Sequence, residues 1–422
     1  MRKTVKALYL LISISLIVCS LTSCLFANAG KSNYLTKTEV QQMINNSMHG
    51  EITVEGGDNY NVTINSSDTD NVAAAKALLS VVSIDCVFKT SYSGIYQPGF
   101  GSSKEKTASG SGVIYRLDKN RGDAYIITNY HVVYYSMANT ENGISDDITL
   151  YLYGQENTKY AIPATYVGGS MNYDIAILKV SGSRVLAESN AVAVEFADSN
   201  DVAILDKAIA IGNPENLGIS ATLGYINVDS EYIKLEGADG ATEIQIRVMR
   251  MDTAVNSGNS GGGLFDKNGK LIGIVNAKLT SSENMSYAIP SNFVKYVADN
   301  IIYYCDGSKN ENVYRCYVGI VVVNQEMYTV YDKETGKVHR RETVVIESIE
   351  NDSLVKGKLA VGDVVNSITI DGVVYDVTRV FVVTDAMLNA RVGSTVTINI
   401  TRGGETINVS VTVPETALTK II

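Results

Sequence analysis

The stretch Asp252-Thr253-Ala254-Val255-Asn256-Ser257-Gly258-Asn259-Ser260-Gly261-Gly262 decides how this chain is read. A serine hydroxyl is a poor nucleophile unless a base takes its proton. It also needs donors for the negative oxygen that forms on an attacked carbonyl. A glycine two residues before Ser260 lets the backbone bend until its N–H and that of Ser260 converge around Asn259. Gly261 and Gly262 keep side chains away from an incoming peptide. A turn of this composition alone is only a turn, so the base and its orienting acid have to be found elsewhere.

The chain of 422 residues has three histidines. His49 lies in a polar N-terminal stretch, and His339 follows a Gly-Lys turn among charged residues and is expected to be exposed. His131 follows an apolar strand in Ile126-Ile127-Thr128-Asn129-Tyr130-His131-Val132-Val133, itself preceded by Gly110-Ser111-Gly112-Val113-Ile114. Asp174 heads a buried-looking strand, Asp174-Ile175-Ala176-Ile177-Leu178-Lys179-Val180. The order His131, Asp174, Ser260 is that of chymotrypsin-like enzymes, not of subtilisins or α/β-hydrolases.

These segments resemble the "GSG … TN.HV", "D.A.LKV" and "GNSGG" motifs of the HtrA/Deg serine proteases. Two more stretches extend the likeness. Ala208-Ile209-Ala210-Ile211-Gly212-Asn213-Pro214 with Thr222-Leu223-Gly224-Tyr225-Ile226 is similar to the family's "AIGNP … T.G.I", and Leu271-Ile272-Gly273-Ile274-Val275 with Tyr287-Ala288-Ile289-Pro290 to its "LIGI … AIP". The resemblance runs from residue 73 to about 305. It implies catalysis by Ser260, His131 and Asp174, with an oxyanion hole at Gly258, Asn259 and Ser260. It also implies a substrate wall at Asn276, Ala277 and Lys278, and no metal or organic cofactor. Ala254, six residues before Ser260, stands where enzymes that cut after basic residues carry an acid, so small or medium aliphatic side chains are expected in the pocket. Gly263 departs from the family's usual Pro or Ala, and residues 89–106 and 229–246 are expected as loops.

Short β runs punctuated by Gly and Asn fill residues 73–306, enough for two small barrels closed by a helix over about 292–304. A second β-rich unit over 314–414 contains Tyr317-Val318-Gly319-Ile320, a helix-like segment 385–391 and a Gly403-Gly404 hairpin. It resembles the PDZ domain that follows the protease in HtrA enzymes. Tyr317, Gly319 and Ile320 would then form the loop that takes a peptide's terminal carboxylate, the peptide adding as a strand. The expected fold is mainly β: a chymotrypsin-like double barrel followed by a PDZ domain.

The N-terminus reads as a targeting segment. Arg2, Lys3 and Lys6 precede an apolar run over 7–18, and Leu21-Thr22-Ser23-Cys24 resembles a bacterial lipobox. On that reading residues 1–23 are removed and Cys24 carries lipid. An uncleaved anchor extending to Ala27 is the other reading. Residues 24–72 read as a stalk with a short helix and two short strands. Cys305 and Cys316 are near enough in sequence to pair, though three separate thiols with Cys86 read equally well. A formal net charge of −10 and no Lys/Arg cluster argue against a nucleic-acid partner. The resemblance implies unfolded exported proteins and peptides as substrates, a homotrimer, and an extracytoplasmic place at a bacterial cell envelope. A regulatory protease that cuts one membrane signalling protein, and a holdase with a rarely assembled triad, are the rival readings.

Overall fold

The computed structural model describes residues 50–55, 61–66, 69–90, 104–156, 158–276, 285–305 and 312–421. The targeting segment, Cys24, His49, the expected helix over 36–48, and Ala277 and Lys278 lie outside the described residues. The chain divides into two compact units at Asp68/Thr69. In the first, β1 (Gly50–Glu55) and β2 (Asn61–Ser66) form an antiparallel pair, as the alternation of apolar residues there suggests.

The second unit opens with helix α1 (Thr69–Leu78). Then come β3 (Val81–Thr90), β4 (Lys104–Asp118), β5 (Asp123–Thr128), the one-turn helix α2 (Tyr130–Val133), β6 (Asp147–Leu152), β7 (Ile162–Ser170) and β8 (Ile175–Val180). Their order β3-β4-β5-β8-β7-β6 closes into a barrel. Closure removes sheet edges, and it turns strands such as β8 into nearly continuous apolar runs with little exposed face.

After a short helix α3 (Arg184–Glu188) the second barrel is built from β9 (Lys207–Gly212), β10 (Ser220–Glu236), β11 (Glu243–Met251), β12 (Gly263–Phe265), β13 (Leu271–Asn276) and β14 (Ser286–Pro290). Residues 229–246, expected as a loop, are mostly the paired arms of β10 and β11. Ile233 faces Ile246 and Leu235 faces Ile244, and the period-two apolar pattern places three of these four in the core. Helix α4 (Ser291–Cys305) follows Pro290 directly and buries Phe293, Val294, Val297, Ala298 and Ile301 in the core shared by both barrels.

The rest of the chain forms a third β body. It comprises β15 (Val313–Cys316), β16 (Ile320–Tyr331), β17 (Val338–Ile349), β18 (Val364–Ile370), β19 (Val373–Asp376), helix α5 (Val380–Ala386), β20 (Thr395–Arg402), β21 (Glu405–Thr412) and β22 (Leu418–Ile421). The main sheet runs β16-β17-β18-β20-β21, and β22 returns to pair with β15. The helix expected over 385–391 lies earlier. Val380, Phe381, Val382 and Val383 carry it into the core, and a 3-10 turn at Met387–Asn389 ends it. Asn300 joins this body to the barrels. Its amide donates to Tyr314 O (2.7 Å) and Leu388 O (2.8 Å), and its oxygen accepts from Tyr314 N (3.0 Å).

Candidate active site

The seam between the barrels gathers the residues that the motifs single out. Gly258 and Gly261 have φ of 95° and 83°, a region that side-chain-bearing residues rarely adopt. A Cβ on Gly258 would lie 2.2 Å from Asn213 O, and one on Gly261 2.2 Å from Ser111 O. Glycine is therefore required twice within four residues, for space as well as for φ.

Ser111, from β4 in the first barrel, holds this turn. Its N–H donates to Ser260 O (2.8 Å), its hydroxyl donates to Gly258 O (2.7 Å), and that same hydroxyl accepts from Asn213 N (2.8 Å). Ser111 O in turn accepts from Thr128 Oγ1 (2.7 Å). One buried serine thus ties the Ser260 turn to the strand leading into His131. The sequence displayed Ser111 inside a motif, yet nothing in its spacing revealed the latch.

Ser257 O accepts from Glu215 N (2.8 Å). A trans peptide sets its C=O and N–H on opposite sides, so the Gly258 N–H points away from the Glu215 loop. Asn259 N donates to Asn256 O (3.0 Å), which commits that amide inside the turn. Of the residues expected around an oxyanion, Asn259 is therefore a brace.

Asp174 is 3% exposed and has φ of 51°, a strained value that Asp tolerates better than most residues. Asn129 Nδ2 donates to its carbonyl at 2.8 Å. Its carboxylate receives the His131 main-chain N–H on Oδ1 (3.0 Å) and the His131 ring Nδ1 on Oδ2 (2.7 Å). Asn276 Nδ2 also donates to Oδ2 (2.8 Å). Asn276, expected along the wall that pairs with the substrate backbone, turns its side-chain amide inward onto the carboxylate. Two donors on His131 and one on Asn276 fix the plane of the acid and hence of the imidazole. A ring bonded through Nδ1 to a carboxylate has Nε2 left for exchange with a hydroxyl. Ser260 itself is 7% exposed.

Ala254 is exposed beside the Ser260 turn, with its carbonyl accepting from Thr222 Oγ1 (2.9 Å). In the third body Gly319 has φ of 79°, and a Cβ there would meet Ser353 Cα at 2.6 Å. Tyr317 donates to Glu350 (2.6 Å) and Ile320 begins β16, whose other edge pairs with β17. His339, expected to be exposed, is 8% exposed, because the β16–β17 hairpin lies against the second barrel through Lys337, which bonds Asp206 (2.6 Å). Cys86, Cys305 and Cys316 are buried and form no disulfide among the described residues. Burial pushes the Cys86 thiol up to about 12, and the Cys316 thiol up to about 11.

A double β-barrel with a serine turn at its seam defines the class: a trypsin-like serine endopeptidase. The family described as "Trypsin-like peptidase domain" matches residues 110–274. The serine protease Do-like HtrA of Lactococcus lactis subsp. cremoris is 30% identical over 310 residues, covering 69% of this chain and 70% of that protein. The serine protease Do-like HtrA of Bacillus subtilis is 32% identical over 251 residues, covering 58% of this chain and 50% of that protein. Among solved structures, the HtrA-type protease AlgW with decapeptide aligns at 24% identity and a TM-score of 0.48, covering 82% of this chain and 98% of that one. The chain belongs to the HtrA family of serine proteases.

Proposed function

We propose that Ser260, His131 and Asp174 carry out peptide-bond hydrolysis. Ser260 Oγ attacks the substrate carbonyl while His131 Nε2 takes its proton. Asp174 holds the Nδ1–H of the imidazolium. The N–H groups of Gly258 and Ser260 receive the oxyanion. His131 then passes its proton to the leaving amine, and water, deprotonated by the same ring, releases the acyl group. The observation that carries this reading is the buried Asp174 carboxylate bonded to His131 at 2.7 Å, with the Ser257 carbonyl turned toward Glu215. That orientation leaves the Gly258 N–H for an oxyanion.

The substrates we infer are unfolded or damaged exported proteins, cut after Val, Ala, Ile or Leu, in envelope protein quality control. The body from residue 314 serves as a PDZ domain, taking apolar chain ends at Gly319 and Ile320 along the open edge of β16. Lipid on Cys24 holds the enzyme to the membrane outside the cytoplasm, and a homotrimer is the working assembly. A fluorophosphonate probe tests the core of this reading. It should label the protein at Ser260 and fail on Ser260→Ala. Labelling that survives this substitution would reject Ser260 as the nucleophile.

A further inference from the structure

The loop that supplies the Glu215 N–H to the serine turn is strained. Glu215 and Asn216 have φ of 55° and 57°, two left-handed residues in succession, and neither is glycine. Such conformations persist only where the surroundings over-determine them. Asn tolerates this region better than most side chains, but Glu has no such aptitude. Glu215 is exposed, and what reaches the turn is its main-chain N–H, which donates to Ser257 O at 2.8 Å.

The side chain of Asn213 holds this loop. It is the asparagine of the motif that ends at Pro214, and it is 1% exposed. A primary amide carries donors at one end and an acceptor at the other. Asn213 spends both ends on the loop that it opens. Its Nδ2 donates to Asn216 Oδ1 (2.8 Å), and its Oδ1 accepts from Gly218 N (2.8 Å). Its main chain is committed as well. Asn213 N donates to Ser111 Oγ (2.8 Å), and Asn213 O accepts from Asn216 N (3.3 Å). The clamp is thus anchored on the first barrel and closes around the two left-handed residues. Gly258 packs against the same anchor, since a Cβ there would lie 2.2 Å from Asn213 O.

We propose that Asn213 is a positioning residue for the oxyanion donor, on the reading given above of Ser260 as nucleophile and the Gly258 N–H as donor. Its side chain keeps Glu215 and Asn216 left-handed, and the Glu215 N–H then holds the Ser257 carbonyl. The trans peptide turns the Gly258 N–H away from the loop and leaves it for the oxyanion. Without the clamp the loop relaxes toward negative φ, Ser257 O loses its donor, and the Ser257–Gly258 peptide is free to turn. Asn213 acts only through these groups, so its loss weakens the transition state and spares substrate binding.

The test uses full-length protein and a chromogenic peptide cut after Val. Asn213→Ala and Asn216→Ala should each lower kcat about 10- to 100-fold, less than removal of the donor itself, with KM within about threefold. Asn216→Asp keeps the acceptor and the left-handed tolerance, so its kcat should stay within about threefold of the parent. The specific readout is the adduct with a peptidyl trifluoromethyl ketone, followed by fluorine NMR across pH. Ser260 Oγ bonds to the ketone carbon, its proton passes to His131, and the ketone oxygen becomes the anion in the hole. In both alanine variants that anion should be protonated about tenfold more readily than in the parent, which a loss of stability alone would not produce. Asn216 is exposed, so its variants decide the question even if Asn213→Ala fails to fold. An unchanged kcat and titration in Asn216→Ala, or an equal loss in Asn216→Asp and Asn216→Ala, overturns the proposal alone. An adduct that still forms on Ser260→Ala overturns the reading of the nucleophile beneath it.

Discussion

At the seam between the barrels, the Ser260 turn is held chiefly by main-chain groups and one small hydroxyl. Ser111, Asn213, Glu215 and Asn256 all act there through backbone atoms, and the Ser111 side chain reaches only to backbone partners. Where the second barrel meets the third body, the fastening is between charged side chains: Arg247 with Asp385, Arg379 with Asp229, and Lys337 with Asp206. Main-chain hydrogen bonds fix position to a few tenths of an ångström and depend little on salt. Charge pairs hold at longer range and respond to ions and to the loss of a partner. A reacting centre requires the first kind of fastening, whereas a joint between bodies can be adjusted through the second.

Substitutions on the two sides should therefore fail differently. Ser260→Ala should lower turnover on the order of 10⁶-fold with an unchanged unfolding midpoint. Casein hydrolysis and a melting curve on the same sample check both halves. Arg247→Met should leave Asp385 buried without its cation and destabilise the fold by about 3–5 kcal/mol. Adding Asp385→Leu should recover most of that loss in a urea titration, because the stranded charge is gone. If the double variant is no better than the single, the charge pair is not what holds the junction.

Gly258→Ala sits third. The new methyl meets Asn213 O, so the turn must shift, and losing an aligned oxyanion donor lowers kcat by about 10²–10³-fold. KM measured alongside should change far less. The smallest effect is expected inside the third body. Arg402 bonds Asp363 with two nitrogens, at 2.6 and 2.7 Å, and holds its carboxyl below the usual range. A depressed acid stabilises the fold above its unfolded value, about 3.9, and that gain is lost as pH falls through the folded value. Arg402→Gln should therefore melt earlier than the parent above about pH 5, and the gap should narrow below about pH 4. A gap that widens on acidification would contradict the sign of this coupling.

The double barrel was legible because its strands announce themselves as short apolar runs between Gly and Asn. His131, Asp174 and Ser260 stood out because each lies in a motif with few plausible substitutes, and the structure sets the His131 ring on Asp174 at 2.7 Å. The bond from the Asn276 amide to Asp174 was not foreseen, for a physical reason. The side chain of a polar residue ending a buried strand can face solvent or the core, and only the position of Asp174 decides which. His339 was misread because neighbouring charges suggest solvent, while the hairpin that carries it folds onto another body. Arg247, Arg379 and Asp385 left no trace in the sequence at all. A charge on a strand reads as a solvated face until its partner, 138 residues away in the case of Arg247 and Asp385, is seen opposite it.

Asn300 has a consequence for the length of α4. The helix advances about 1.5 Å and turns about 100° per residue. One residue added or removed between Ser291 and Asn300 would swing the amide a quarter-turn or more away from Tyr314 and Leu388. Adding four would restore the direction but carry it about 6 Å too far. The helix behaves as an index pin, phased to one angle and one depth. Changes of length in the loops around it leave that phase alone, whereas any change within it resets how the last hundred residues are clocked onto the barrels.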